Sequence, residues 1–277
     1  MARFQHLALP ALAVLALVAS LAGPAAAQSW LAPAYSGIAP AGPARAKGAV
    51  VWSHGRSVNS EDSEAPTPAY MALLRDDGWD TFRFNRMRDT DTLAKSSIGL
   101  AKVAAQLKAE GYRKVALTGQ SFGGFLALMA ADASDQVDAV IATAPAAYGS
   151  FSDYYGSWLN NATKLYPLLQ QVRSARIMVF YFHGDDFDPG GRGERSREIL
   201  NARHIANVVV DQPPQLTSHW AATTPLFTKR FGGCIEGFLD ATSLADDARC
   251  DNDALWAGSA PEPAAAPFQG AARPNGN

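Results

Sequence analysis

Gly119-Gln120-Ser121-Phe122-Gly123-Gly124 sets one serine among glycines, and its flanks decide the fold. Residues 114–118, KVALT, make a short apolar run with β-branched members, as a buried strand requires. Residues 122–133, FGGFLALMAADA, are apolar over the length of a helix. A serine caught between such a strand and such a helix stands on a sharp turn in the positive-φ region. Gly119 and Gly123 lack the Cβ atoms that would collide where strand and helix nearly touch. The pentapeptide fits G-x-S-x-G, a short pattern whose weight comes from this strand–turn–helix context. The helix start also brings unpaired N–H groups beside the hydroxyl.

Further apolar runs outward from this turn read as strands: GAVVWSHG (48–55), WDTFRFNR (79–86), VDAVIATAP (137–145), ARIMVFYFHG (175–184) and NVVVDQPP (207–214). In the second of these, Phe82 and Phe84 alternate with Arg83 and Asn85, the period of a strand. Helical stretches lie between them at 68–78, 92–111 and 192–203, and a last one, weakened by Gly232 and Gly233, covers 225–241. The 92–111 stretch places Leu93, Leu100, Val103 and Leu107 near one face and stops at Gly111. Strands alternating with helices give a mainly parallel sheet with helices on both faces.

The chain has 277 residues, 48% hydrophobic and 18% charged, enough for one sizeable core. A net charge of −2 and no basic patch argue against a nucleic-acid partner. Residues 1–27 read as a secretory signal: Arg3, an apolar run from Leu7 to Ala22, the breakers Gly23 and Pro24, then Ala25-Ala26-Ala27 before cleavage ahead of Gln28. The run is short for a membrane span. The expectation is therefore an exported protein, periplasmic or extracellular, with no membrane attachment after cleavage. Its folded domain covers residues 28–256, and residues 257–277, rich in Ala, Pro, Gly and Asn, read as a disordered tail. In that oxidising setting Cys234 and Cys250 are expected to pair, tying the last helix to the segment after it.

A serine hydroxyl needs a base to take its proton, and the base needs an acid to orient it. On this kind of turn the partners follow in the order Ser, acid, His. Of the five histidines, His6 leaves with the signal, His54 precedes the serine, His183 ends a strand and His204 sits among polar residues. His219, in the loop after the last strand, stands where the order demands the base. The acid is expected within FYFHGDDFDPGGR, with Asp188 as the first candidate and Asp186 and Asp185 as alternatives. Oxyanion donors are expected from the amide of Phe122 and from Gly55 or Arg56, after the first strand. No His/Asp cluster has metal-ligand spacing, so neither metal nor cofactor is implied.

SHGR, GQSFGG, HGDDFDPGG and SHW, taken together over residues 48–240, resemble the α/β-hydrolase fold. The doubled glycine after the serine is similar to that of dienelactone-hydrolase-like members. The resemblance implies an eight-stranded, mostly parallel sheet with a minimal cap, and it carries the nucleophile to Ser121 and the base to His219. It also departs from the pattern. The acid often stands three residues after the strand-end glycine, and Phe187 occupies that place. The glycine-rich turn frequent after the FRFNR strand is replaced by Arg86, Arg88, Asp89 and Asp91, and the nucleophile is serine rather than the cysteine usual in dienelactone hydrolases.

These readings converge on an exported serine hydrolase acting on a small-molecule carboxylic ester. Acyl transfer or peptide cleavage with the same triad is the first alternative, and a non-catalytic binding protein on the fold is the second. Phe151, Tyr154, Tyr155 and Trp158, in the insertion before the acid-bearing strand, either line an acyl pocket or pack a helix against the sheet. Arg56 either meets a substrate carboxylate or is simply solvated.

Overall fold

A computed structural model describes residues 31–56, 66–86, 91–188, 191–241 and 250. The expected signal (1–27), the tail (257–277), and Arg88 and Asp89 lie outside the described residues. The strands are β1 (Leu31–Pro33), β2 (Ala49–Ser53), β3 (Asp80–Phe84), β4 (Val115–Gln120), β5 (Ala139–Thr143), β6 (Arg176–Tyr181) and β7 (Asn207–Asp211). They form one sheet in the order β1-β3-β2-β4-β5-β6-β7. Every neighbouring pair is parallel except β1 with β3. The described residues thus supply seven strands rather than the expected eight, with the short β1 as the antiparallel edge. β2, β4 and β5 are buried along their whole length, which is why they read as continuous apolar runs.

The helices are α1 (Tyr70–Asp76), α2 (Leu93–Ala109), α3 (Phe122–Ala133), α4 (Tyr155–Gln171), α5 (Arg192–Ala202) and α6 (Pro225–Asp240). Thr92 caps α2 by accepting from Lys95 N, and Thr224 caps α6 by accepting from Phe227 N, with Pro225 in the first turn. Gly111, at φ 104°, ends α2 as the sequence implies. Two apolar layers sandwich the sheet. On one face Leu100, Val103 and Leu107 of α2, Leu126 of α3, Leu165 of α4 and Leu200 of α5 pack on Val51, Leu117 and Val179. On the other, Met71 and Leu74 of α1 and Phe227, Phe231 and Phe238 of α6 pack on Val50, Ile141 and Phe180. The aromatic side chains of α6 carry that helix despite Gly232 and Gly233. The expected Cys234–Cys250 disulfide is present, its Cα atoms 5.5 Å apart, and Cys250 is buried against the α1–α6 layer.

The chain runs from β2 outward to β3, then crosses back to β4 on the other side of β2. A parallel sheet opens a crevice beyond its strand ends where the winding direction reverses in this way. Here that point lies between Ser53 at the end of β2 and Gln120 at the end of β4.

Candidate active site

Ser121 follows β4 directly, at φ 55° and ψ −121°, and starts α3. A non-glycine residue there is strained, so its neighbours must hold it. Ser121 N donates to Thr143 O at 3.0 Å, while its carbonyl accepts from Phe125 N (3.0 Å) and Ala146 N (3.1 Å). The two glycines play the part expected of them. A Cβ on Gly119 would overlap the Gly123 carbonyl, and one on Gly123 would overlap the Ser53 carbonyl at the end of β2. Helix α3 therefore starts in direct contact with the backbone of β2.

His219 lies in the loop between β7 and a single 3-10 turn (Ala221–Thr223). The loop is anchored at the ends of two other strands. Ser218 N donates to His183 O at 2.8 Å, just past β6, and Gln120 Nε2 donates to His219 O at 3.1 Å, at the end of β4. The imidazole is buried. Its Nδ1 lies 2.9 Å from Asp185 Oδ1 and 3.0 Å from Oδ2. A carboxylate only accepts, so the ring carries its proton on Nδ1 and presents a lone pair at Nε2. That Nε2 is buried and has no hydrogen-bond partner among the described residues. Phe187 covers the ring, centroids 4.2 Å apart, and Trp220 meets it edge-on at 5.4 Å.

The acid facing His219 is thus Asp185, not Asp188 or Asp186. Gly184, three residues past β6, turns the chain with φ 66°, which brings the first aspartate, not a later one, beside the imidazole. Asp185 Oδ1 also accepts from Phe187 N at 2.8 Å, closing the turn on itself. Asp188 serves α5: it is buried against Arg192, Nε to Oδ1 2.7 Å, four residues on. Asp186 is exposed and accepts from Ser152 Oγ, while its carbonyl accepts from Phe151 N at 2.8 Å. Phe187 itself takes the place of the expected acid in sequence and lies on the base in space.

Phe122 opens α3, and its amide is one of the helix's unpaired N–H groups. Gly55 packs beside the serine; a Cβ built on it would lie 3.4 Å from Ser121 Cβ and would overlap the Gln120 side chain. The half-exposed Arg56 side chain lies over the Phe122 ring at 5.4 Å and 4.0 Å from Asp91. His54, buried at the end of β2, has its pKa pushed down to about 3, by burial first and the Arg86 guanidinium second. His183 and His204 are exposed, and His183 meets the His219 loop through its carbonyl on Ser218 N.

Two polar residues that sequence reasoning did not place hold the surroundings. Asn161 of α4 is fully buried, accepts from Ala147 N and Tyr148 N, and donates to Gly149 O and Phe187 O. Its Asn-x-Thr pattern suggests a glycosylation acceptor in sequence, and its burial rules that out. Arg192 donates to Asp188 and to Pro145 O. The aromatic insertion does not pack on the sheet. Phe151, Tyr154 and Tyr155 are each more than half exposed, and the Phe151, Tyr155 and Trp158 rings pack on one another at 5.4–6.1 Å. Among the described residues no group of three His, Cys, Asp or Glu side chains is placed to hold a metal ion. No helix among them is long and apolar enough to cross a membrane.

Solved structures share this architecture at low identity. An esterase from Pyrococcus furiosus superposes with a TM-score of 0.53 at 15% identity, over 70% of this chain and 80% of its own. A protein assigned as a dienelactone hydrolase from Klebsiella pneumoniae gives 0.51 at 16%, over 73% and 88%. DcsB, solved with a substrate analogue, gives 0.54 at 12%, over 70% and 90%. No protein-family model and no curated protein matches the chain. These likenesses show the fold, which is the α/β-hydrolase fold.

Proposed function

We propose that the protein is an exported serine hydrolase that cleaves small carboxylic esters through an acyl-enzyme on Ser121. One observation carries this reading. His219 is tied through Nδ1 to both oxygens of a buried Asp185, and its buried Nε2 has no hydrogen-bond partner among the described residues. A serine kept at a strained φ of 55° at a helix start is what such a base serves. A binding module would gain nothing from either cost.

In the proposed cycle Ser121 Oγ attacks the acyl carbon while His219 Nε2 takes its proton. The carbonyl electron pair moves to oxygen, which receives N–H bonds from Phe122 and from Gly55 or Arg56. Asp185 keeps the imidazole in its tautomer and stabilises the imidazolium. The tetrahedral species collapses, the C–O bond breaks, and His219 hands its proton to the leaving alcohol. Water then attacks the acyl-enzyme by the same route in reverse roles, releasing the acid and free Ser121. Export is supported by the reading of residues 1–27 and by the disulfide.

The test is hydrolysis of p-nitrophenyl esters from acetate to octanoate, with fluorophosphonate labelling, by mature protein and Ser121→Ala. Turnover and labelling are expected in the wild type, and the substitution is expected to lower kcat by at least about 1,000-fold. Equal turnover by Ser121→Ala, or a wild type that neither labels nor turns over, would overturn the reading.

A further inference from the structure

We propose that Arg86 is a positioning residue, resting on the serine-hydrolase reading above: by fixing the carbonyls of His54 and Gly55 it turns the amides of Gly55 and Arg56 toward the space beside Ser121, as oxyanion donors. Arg86 follows β3, and its side chain is fully buried, as is that of Asp91, whose Oδ2 accepts from Arg86 Nε at 3.0 Å. Asp91 is itself held by Ser96 Oγ of α2. The far end of the guanidinium reaches across to the loop after β2. Nη1 donates to His54 O at 2.6 Å and to Ser53 Oγ at 3.0 Å, and Nη2 donates to Gly55 O at 2.9 Å. His54 Nδ1 donates to the same Gly55 carbonyl at 2.7 Å.

The geometry of the peptide group turns these contacts into a statement about the opposite edge. No cis peptide occurs among the described residues, and in a trans peptide the N–H points away from the C=O. The His54 carbonyl shares its peptide with Gly55 N–H, and the Gly55 carbonyl shares its peptide with Arg56 N–H. Both carbonyls are held by one planar fork, so both N–H groups face away from it on the same side. Consecutive N–H groups facing one way form a concave anion site. Gly55 lies beside Ser121, a Cβ built on it falling 3.4 Å from Ser121 Cβ, and the proposal places this concavity next to the hydroxyl. Gly55 N–H has no acceptor among the described residues' hydrogen bonds.

Arginine alone suits this task. Its donors are fixed in a plane and can hold two carbonyls at once, whereas a lysine ammonium is a point donor on a flexible stem. Arg86 also lies over the Phe122 ring at 5.2 Å, so it supports the residue that supplies the remaining donor. The desolvation of a buried guanidinium is met by the Asp91 carboxylate and the loop carbonyls together. Sequence reading marked Arg86 only as a departure from a glycine-rich turn. Its link to residues 53–55 spans more than thirty positions and has no local signature.

The experiment compares wild type, Arg86→Lys and Arg86→Met for melting temperature, kcat and KM on the best p-nitrophenyl ester, and inhibition by an alkylboronic acid. The boronate adds to Ser121 and places an oxygen where the oxyanion forms. Both variants are expected to lose kcat by about 100-fold with KM within about threefold, and to bind the boronate more weakly in proportion. Arg86→Lys keeps the charge but not the fork, so wild-type kcat in Arg86→Lys would overturn the proposal. So would a folded Arg86→Met with kcat within about threefold of wild type, or a loss confined to KM. If neither variant folds, Asp91→Asn, which loosens the guanidinium, and Ser53→Ala, which removes one of its contacts, take their place. They are expected to lower kcat by about 5- to 20-fold at constant KM, and unchanged kcat in both would overturn the proposal. An inactive, unlabelled wild type would instead remove the hydrolase reading itself.

Discussion

Phe187 lies on the imidazole of His219, ring centroids 4.2 Å apart and planes tilted by 32°, while its backbone N donates to Asp185. One residue thus touches both members of the proposed base–acid pair. Truncating the ring uncovers the imidazole and lets it swing. Phe187→Ala is expected to lower kcat by roughly 3- to 10-fold, the equivalent of about 0.5–1.5 kcal/mol of ring packing, while Phe187→Leu retains most activity. Steady-state kinetics on the ester panel decides it, and an unchanged Phe187→Ala rate would mean the stacking does not hold the base.

The acid assignment is separable by three substitutions. Asp185→Asn is expected to drop kcat by about 1,000- to 10,000-fold, because an amide cannot fix the Nδ1–H tautomer and stabilise the imidazolium. Asp186→Asn, at an exposed side chain, is expected to stay within about threefold of wild type. Asp188→Asn strands the buried Arg192 and is expected to lower unfolding free energy by about 3–5 kcal/mol. Kinetics and urea melts on the three proteins give the pattern; an active Asp185→Asn would refute the assignment.

His54 makes stability depend on pH. Its folded pKa, about 3, lies below its ordinary 6.5, because burial and the Arg86 charge oppose the imidazolium. Between these values the unfolded chain binds a proton that the folded chain refuses. The stabilisation is therefore complete above 6.5 and is lost as pH falls toward 3, at up to about 1.4 kcal/mol per pH unit. Urea melts from pH 7.5 to 4.5 should show wild-type stability falling more steeply than that of His54→Asn. Identical slopes would sink the idea.

The disulfide closes a loop of 16 residues between α6 and Cys250. Its removal is expected to cost about 3 kcal/mol, by freeing the unfolded chain. Cys234→Ser/Cys250→Ser should melt earlier than wild type, and reductant should lower the melting point of wild type alone. A double variant of equal stability would refute the stabilising role of the bond.

Most of the architecture was legible because parallel strands covered on both faces are written as unbroken apolar runs. VVWS, VALTG, AVIAT and IMVFY each became a strand, and the turn at Ser121 announced itself through glycines whose missing Cβ atoms the packing requires. The proposed base, His219, was legible from chain order alone, and the structure sets it against Asp185. The acid was not, since three aspartates share four positions and the choice among them rests on the left-handed turn at Gly184. An earlier turn moved the role from the position held by Phe187, or the favoured Asp188, back to Asp185. The structural roles of Asn161 and Arg192 were invisible for another reason: Asn161 holds loops more than ten residues away, and Arg192 bridges its neighbour Asp188 to the distant Pro145 carbonyl. The aromatic insertion could not be decided from sequence, because apolar composition does not separate a pocket lining from a packed face; Phe151, Tyr154 and Tyr155 are exposed.

Gln120, the residue before the serine, holds the backbone carbonyl of His219, and His183 holds Ser218 one position earlier. The stretch from Gln212 to Ser218 is bowed, with left-handed residues at Gln212, Gln215 and Ser218. The far end of that bow is moored to the sheet independently of the strand it leaves, and Leu216 along it is buried in the α1–α6 layer. The bow is thus a strut rather than a slack linker, pinned at both ends and through Leu216 in its middle, so a change in its length would have to displace core packing.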